Sequence, residues 1–144
     1  RVASQLPLDG CSVSPFIPGD ETPLAQAATA NIDLTLNCMA ALRLMRPDWV
    51  IPAVSALNLA EPGEGYRRGL RTGANLVTIN LTPDDLRENY LLYKRDRFIM
   101  TEEKILSAIA AENLSPSKQS LAEFYRGQKR KSPAEVPGPV AVAA

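Results

Sequence analysis

Hydroxyl and amide side chains collect where an apolar segment gives way to a helix start. Thr78 and Asn80 lie in Leu76-Val77-Thr78-Ile79-Asn80-Leu81, and Thr82-Pro83-Asp84-Asp85 follows at once. Such groups recognise a ligand by hydrogen bonding rather than by moving protons. Histidine is absent from all 144 residues, which removes the usual general base and every triad built on it. Acid–base work would fall to Asp, Glu, Lys or Tyr. The two cysteines, Cys11 and Cys38, stand far apart with no histidine to join them, so a local zinc or iron–sulfur site is not expected. Both read as buried small hydrophobes with no disulfide between them.

The elements that would carry these groups follow from local pattern. Gly73 sits where a helix end takes left-handed backbone, Leu76 to Leu81 has the content of a short buried strand, and Thr82-Pro83 starts a helix. Strands that feed helices this closely belong to α/β proteins, whose ligands gather at the carboxyl ends of the strands. That puts Thr78 and Asn80 at the edge of a site. Val13 to Ile17 reads as an earlier short strand, limited by Pro15 and Pro18. It leaves through Pro18-Gly19-Asp20-Glu21-Thr22-Pro23-Leu24, which is either a site wall or a plain turn. Trp49-Val50-Ile51-Pro52-Ala53-Val54 has the near-continuous apolar run of a parallel strand covered on both faces, with Ser55 and Asn58 at its exit.

Between and after these strands the pattern predicts helices. Asn31 to Met45 carries Asp33 at its start, Arg43 and Arg46 at its end, and Pro47 as its stop; Met39, Leu42 and Met45 form its core stripe. A second helix runs from Glu61-Pro62-Gly63 through Tyr66 and Arg71, and a third from Pro83 to Tyr93. Thr101 caps a fourth that reaches Asn113 with Ile105, Leu106 and Ile109 inward. Leu121, Phe124 and Tyr125 suggest a last short one. From Gln128, Lys129-Arg130-Lys131 and then Pro133, Pro137 and Pro139 read as a disordered tail, 128–144. Its basic cluster either touches a phosphate or is simply solvated.

Totals bound the function. A chain with 45% apolar residues supports one ordinary domain, here 1–127, yet a complete eight-stranded α/β barrel needs about 200 residues or more. Sixteen basic residues balance 16 acidic ones, so no global field recruits nucleic acid or anionic lipid. No apolar run approaches the length of about 18 residues that marks a membrane span, and no charged-then-apolar leader opens the chain; a cytoplasmic location is expected. The chain begins at Arg1-Val2-Ala3 without methionine, as a processed product or part of a longer reading frame would.

Taken in order, Pro15-Phe16-Ile17-Pro18 with Asp20 and Thr22-Pro23-Leu24, then Ile51-Pro52-Ala53, then Gly73-Ala74-Asn75, then Thr82-Pro83 with Tyr90 and Tyr93, resemble the C-terminal half of a radical S-adenosylmethionine enzyme. The group is the biotin synthase-like one, of the iron-only hydrogenase maturase and methylornithine synthase type. The resemblance covers roughly residues 11 to 115. It implies the last three strand–helix units of a TIM-type (β/α) barrel plus C-terminal helices. In that family a 4Fe-4S cluster on a Cys-x3-Cys-x2-Cys loop reductively cleaves S-adenosylmethionine to a 5'-deoxyadenosyl radical. That triplet is absent here, so the cluster-bearing half-barrel would be missing or supplied by a partner chain. By resemblance Phe16, Ser55, Thr78, Asn80, Arg87 and Tyr93 line a cavity for a small-molecule substrate. Ser55 and Tyr93 match cavity residues of the maturase, while Thr78 replaces an apolar one. Arg87 either anchors an anionic group or pairs with Asp84. Ile51 stands where biotin synthase has an arginine ligand to an auxiliary 2Fe-2S cluster, and aliphatic carbon cannot ligate iron. Two other classes remain open: a standalone, non-catalytic α/β interaction or scaffold module, and a phosphate-binding α/β enzyme using the helix starts at Pro62-Gly63 and Thr82-Pro83. The latter has no glycine-rich fingerprint.

Overall fold

Three chain segments run side by side in parallel, with helices in the connections. The computed structural model describes residues 2–87 and 101–127. In chain order the helices are α1 Val2–Gln5, α2 Ile32–Met45, α3 Ser55–Ala60, α4 Gly65–Thr72, α5 Asp84–Arg87, α6 Glu102–Ala111 and α7 Leu121–Gly127. Parallel bridges join Gly10 to Val50 and Pro52 to Leu76. Val50 donates its N–H to Asp9 O at 3.0 Å and accepts from Cys11 N at 3.0 Å. On its other side the same segment accepts at Ile51 O from Asn75 N at 2.9 Å and donates from Ala53 N to Leu76 O at 2.8 Å. The central segment is therefore held from both flanks, and α2 and then α3 with α4 make the two crossovers.

These contacts stay isolated bridges, and among the described residues none of the three expected strands forms as a strand. Pro52 has no N–H, so the ladder is interrupted at its centre. Just beyond, the central segment turns into α3 at Ser55, leaving residues after Leu76 without a neighbour on that side. Ile79 and Leu81 are accordingly exposed. The first pairing falls at Gly10, upstream of the expected Val13–Ile17, where Pro15 and Pro18 remove donors. Gly10 permits the close approach: a Cβ there would lie 2.5 Å from Val50 O.

The helix reading holds better. Asn31 Oδ1 caps α2 by accepting Asp33 N–H at 2.7 Å, and Pro47 follows its end. Thr101 Oγ1 caps α6 at Lys104 N–H, and Asn113 takes φ 56° just past it. The start of α4 differs from expectation: Glu61-Pro62-Gly63 forms a turn, with Gly63 at φ 85°. The helix begins at Gly65, and the short α3 comes between. Buried Asn58 on α3 accepts Tyr66 N–H at 2.9 Å, serving α4 as a cap from another helix, because Glu64 at its N-cap makes no side-chain cap. Gly73 ends α4 at φ 121°.

The core joins Leu36 and Met39 of α2, Trp49, Ile51 and Ala53 of the central segment, Leu57, Tyr66, Ala74 and Ile105. Burial of Met39, Ile51 and Leu57, each fully inside, contributes about 1.5–3 kcal/mol per side chain. Met45, Leu106 and Cys38, expected inside, are exposed: each sits about 100° or more around its helix from the buried row. Cys11 and Cys38 are both free thiols. No helix among the described residues is long and apolar enough to cross a membrane. The expected tail and the Lys94–Met100 stretch lie outside the described residues.

Candidate functional site

The parallel pairing gives the molecule two ends, and the expected site residues follow the paired positions in chain direction. Phe16 comes after Gly10, Ser55 after Pro52, and Thr78 after Leu76, so all three lie on the carboxyl side of the pairing. Phe16 is exposed, and its carbonyl accepts Ala30 N–H at 2.9 Å. Ser55 opens α3 and is exposed. Thr78 is exposed on its residue average, and its hydroxyl lies near the Tyr66 phenol. Asn80 is turned to local work: its Oδ1 accepts Thr82 N–H at 2.9 Å, an Asx turn that leads toward α5. Arg87 is the last residue of α5; its side chain, that of Asp84, and all of Tyr93 lie outside the described residues.

Tyr66 is the member that sequence reasoning missed as a site neighbour. It is buried on α4, and burial pushes its phenol above the ordinary tyrosine value, an effect partly opposed by the nearby Thr78 hydroxyl. At neutral pH it stays protonated, and it brings α4 next to the end of the third segment. A buried tyrosine needs a partner for its hydroxyl, and a threonine two residues past a paired position was the available signal. Ser55, Thr78 and Tyr66 make this end neutral and hydrogen-bonding. Such a surface orients a polar ligand and supplies no general base.

Two clefts open elsewhere. One of about 520 Å³ runs between α2 and α4, lined by Asp33, Leu36, Asn37, Arg68, Arg71 and Thr72. The other, of about 470 Å³ between α4 and α6, is lined by residues that include Asn58, Tyr66, Arg67, Glu103, Lys104 and Ser107. Neither contains Phe16, Ser55, Thr78 or Asn80. Their arginines are already engaged. Arg67 pairs with Glu112 at 2.7 Å and Glu64 at 2.6 Å, Arg71 with Glu64 and Glu112, and Arg68 with Asp33 and Glu61. Hydrogen bonds donated by Arg67 to Glu112 and by Arg68 to Asp33 raise both guanidinium pKa values further. The lattice ties α6 and α2 to α4 and leaves these cations little capacity for an anionic ligand.

The amino side of the pairing is built differently. Arg43 donates from Nε to Gly73 O at 2.9 Å and from Nη1 to Pro47 O and Trp49 O at 2.8 Å each. Burial lowers its pKa, partly offset by Asp48. Asn75 accepts Ile51 N–H at its Oδ1, 2.8 Å, and donates from Nδ2 to Trp49 O at 3.2 Å. Arg46 lies 4.8 Å over the Trp49 ring and forks onto Asp48. These residues fasten backbone and bind each other.

Among the described residues no group of three or more His, Cys, Asp or Glu side chains could hold a metal ion. With two cysteines in the whole sequence, the chain's own residues do not fit a cluster held by three cysteine thiolates.

No family model matches the chain. Over 85 residues it is 41% identical to the FeFe hydrogenase maturase subunit HydE of Thermotoga maritima. The match takes in 59% of this chain and 24% of that protein, so the chain spans about a quarter of the length of the relative it matches. The chain is thus a partial homologue of an FeFe hydrogenase maturase subunit.

Proposed function

We propose that this chain is the C-terminal, substrate-side part of a radical S-adenosylmethionine enzyme of the biotin synthase-like group. The observation that carries the reading is the 41% identity over 85 residues to the Thermotoga maritima maturase subunit. Parallel pairing in the order first, second, third segment, with helical crossovers between, supports it, since successive barrel strands pair in that way. In this reading the residues 1–127 are the last strand–helix units of a TIM-type barrel. Ser55 and Thr78, together with Phe16, Arg87 and Tyr93, contribute the wall against which a small-molecule substrate is oriented. Tyr66 of α4 lies near Thr78.

The cofactors of the complete enzyme would be a 4Fe-4S cluster and S-adenosylmethionine, which together supply radical chemistry. Cys11 and Cys38 cannot hold that cluster, so its ligands belong to another part of the polypeptide or to a partner chain. No step of that chemistry is assigned to the residues here. Their share is binding, orientation and exclusion of water.

The test is reconstitution of the product of the complete reading frame with iron and sulfide under anaerobic conditions. Cluster absorbance near the visible range, followed by reductive cleavage of S-adenosylmethionine to 5'-deoxyadenosine, is the expected result. A complete product that takes up no iron would end this reading in favour of a non-catalytic module, which the incomplete cysteine set favours.

A further inference from the structure

α7 is held together from within and packs on none of the other helices. Ser120 Oγ accepts Glu123 N–H at 3.2 Å, and Glu123 Oε2 accepts Ser120 N–H at 2.8 Å, a reciprocal capping box. Hydrogen bonds from Ser120 also lower the Glu123 pKa, so that carboxylate is engaged in the cap. The closely packed helix pairs are α3 with α4, α2 with α4 and α4 with α6. α7 buries none of its residues, and residues 113 to 123 are all exposed. A helix of seven residues is marginal in water by itself, and a cap gives no reason for it to display large apolar side chains.

It displays three. Leu121, Phe124 and Tyr125 stand at i, i+3 and i+4, which puts them on one face. Leu121 is 44% exposed and Tyr125 37%, and the rings of Phe124 and Tyr125 meet edge to face with centroids 5.6 Å apart. Basic residues gather directly behind this face. Arg126 lies in the last turn of α7, Lys129, Arg130 and Lys131 follow in the sequence, and no acidic residue stands between Glu123 and Glu135. The zero net charge of the whole chain therefore covers a local excess of cations, and at cellular salt only local charge acts on a surface within reach.

We propose that α7 and the basic cluster behind it form a peripheral contact for an anionic lipid bilayer. Leu121, Phe124 and Tyr125 enter the headgroup region, and Arg126, Lys129, Arg130 and Lys131 meet lipid phosphates. An apolar helix face joined to a run of Lys and Arg is what lying in such an interface requires. Charge complementarity selects an anionic partner, and two details select lipid. The edge-to-face packing of Phe124 and Tyr125 does not offer the pair of open ring faces on which successive bases stack. Three consecutive cations share no single face of a helix or strand, which suits a diffuse layer of headgroups better than the fixed walls of a protein groove. The contact is small, so attachment is reversible and weakened by salt. It stands on α7 and the sequence behind it, independently of the barrel reading.

The test is flotation of the 144-residue chain with vesicles of phosphatidylglycerol and phosphatidylcholine in equal parts, against vesicles of phosphatidylcholine alone. Binding to the anionic vesicles should be tighter by about tenfold or more. It should fall by about tenfold between about 0.05 M and about 0.5 M salt. Phe124→Ser, and separately the triple change Lys129→Gln, Arg130→Gln and Lys131→Gln, should each weaken it by about fivefold or more. Both variants should melt as the parent does, because α7 packs on no other helix. Equal binding to the two kinds of vesicle would overturn the proposal, since adhesion through apolar surface alone does not tell them apart. Full binding by either variant would do the same. Release by inorganic phosphate at constant ionic strength would assign the cluster to a free phosphate and overturn the membrane contact. A single-stranded oligonucleotide bound more tightly than the anionic vesicles, and lost in the same variants, would overturn it in favour of nucleic acid.

Discussion

The two ends of the paired segments are made of different residue types put to different use. At the amino end Arg43, Asn75, Arg46 and Asp48 spend their hydrogen bonds on backbone and on each other. At the carboxyl end Ser55 and Phe16 are exposed, and Thr78 lies near the Tyr66 hydroxyl. The first arrangement stabilises; the second is available to a ligand. A fold that must keep a surface open at one end needs fastening at the other, as barrel-type folds do by keeping function at the carboxyl face.

The largest test of that contrast is Trp49→Ala. The side chain is fully buried at the start of the central segment, beneath Arg46, and its loss should cost about 3–5 kcal/mol. The 144-residue chain should then be unfolded or close to it by circular dichroism. Next comes Asn75→Ala, which strands the buried Ile51 N–H and removes one of the bonds to Trp49 O. An expected cost of about 1–3 kcal/mol should appear as a lower urea midpoint at unchanged slope. If Asn75→Ala were neutral, the amino end would not be the fastening it is described as.

How far these roles could be read in advance depends on the range over which each is decided. α2 and α6 were legible because Asn31, Pro47, Thr101 and Asn113 act within a turn of their own helix. Gly73 was legible for the same reason. Strand length was not, because it depends on what a neighbouring segment does: Leu76–Leu81 loses its partner when Ser55 starts α3. Arg43 was read as a helix-end cation, and nothing local shows that it reaches Gly73, Pro47 and Trp49 at once. Leu106 and Met45 were placed inside because apolar character alone does not say which flank of a helix is covered. Ser55 was singled out from its place after one apolar run and Thr78 from its place within the next, whereas Tyr66 as a neighbour of Thr78 required knowing that α4 folds back toward the third segment.

Tyr66→Phe sits between the extremes. It keeps the ring in the core and removes only the hydroxyl near Thr78, for an expected loss of at most about 0.5–1.5 kcal/mol. The pH dependence distinguishes this from simple repacking. Burial raises the folded-state phenol above the ordinary value of about 10. Its contribution is therefore complete below about pH 10 and is lost as pH rises through the higher folded value. Stability of the parent should fall more steeply above pH 10 than that of Tyr66→Phe, followed by urea midpoints with tyrosinate absorbance as the marker. Parallel curves would mean that Tyr66 titrates as if exposed.

Ser55→Ala should have the smallest effect on the fold, and that is what makes it the sharpest comparison. The hydroxyl is exposed at the first position of α3 and serves no cap, since α3 has none from a side chain. Surface changes of this kind stay within about 0.5 kcal/mol. If the carboxyl end orients substrate, one lost hydrogen bond to a bound polar group should lower kcat/KM of the complete enzyme by about tenfold while the urea midpoint does not move. Asn75→Ala should do the reverse in the complete enzyme, lowering stability with little change in kcat/KM at low temperature. A Ser55→Ala protein that lost stability and kept its activity would assign both ends to fastening, and the site would then have to be sought away from the carboxyl side of the pairing.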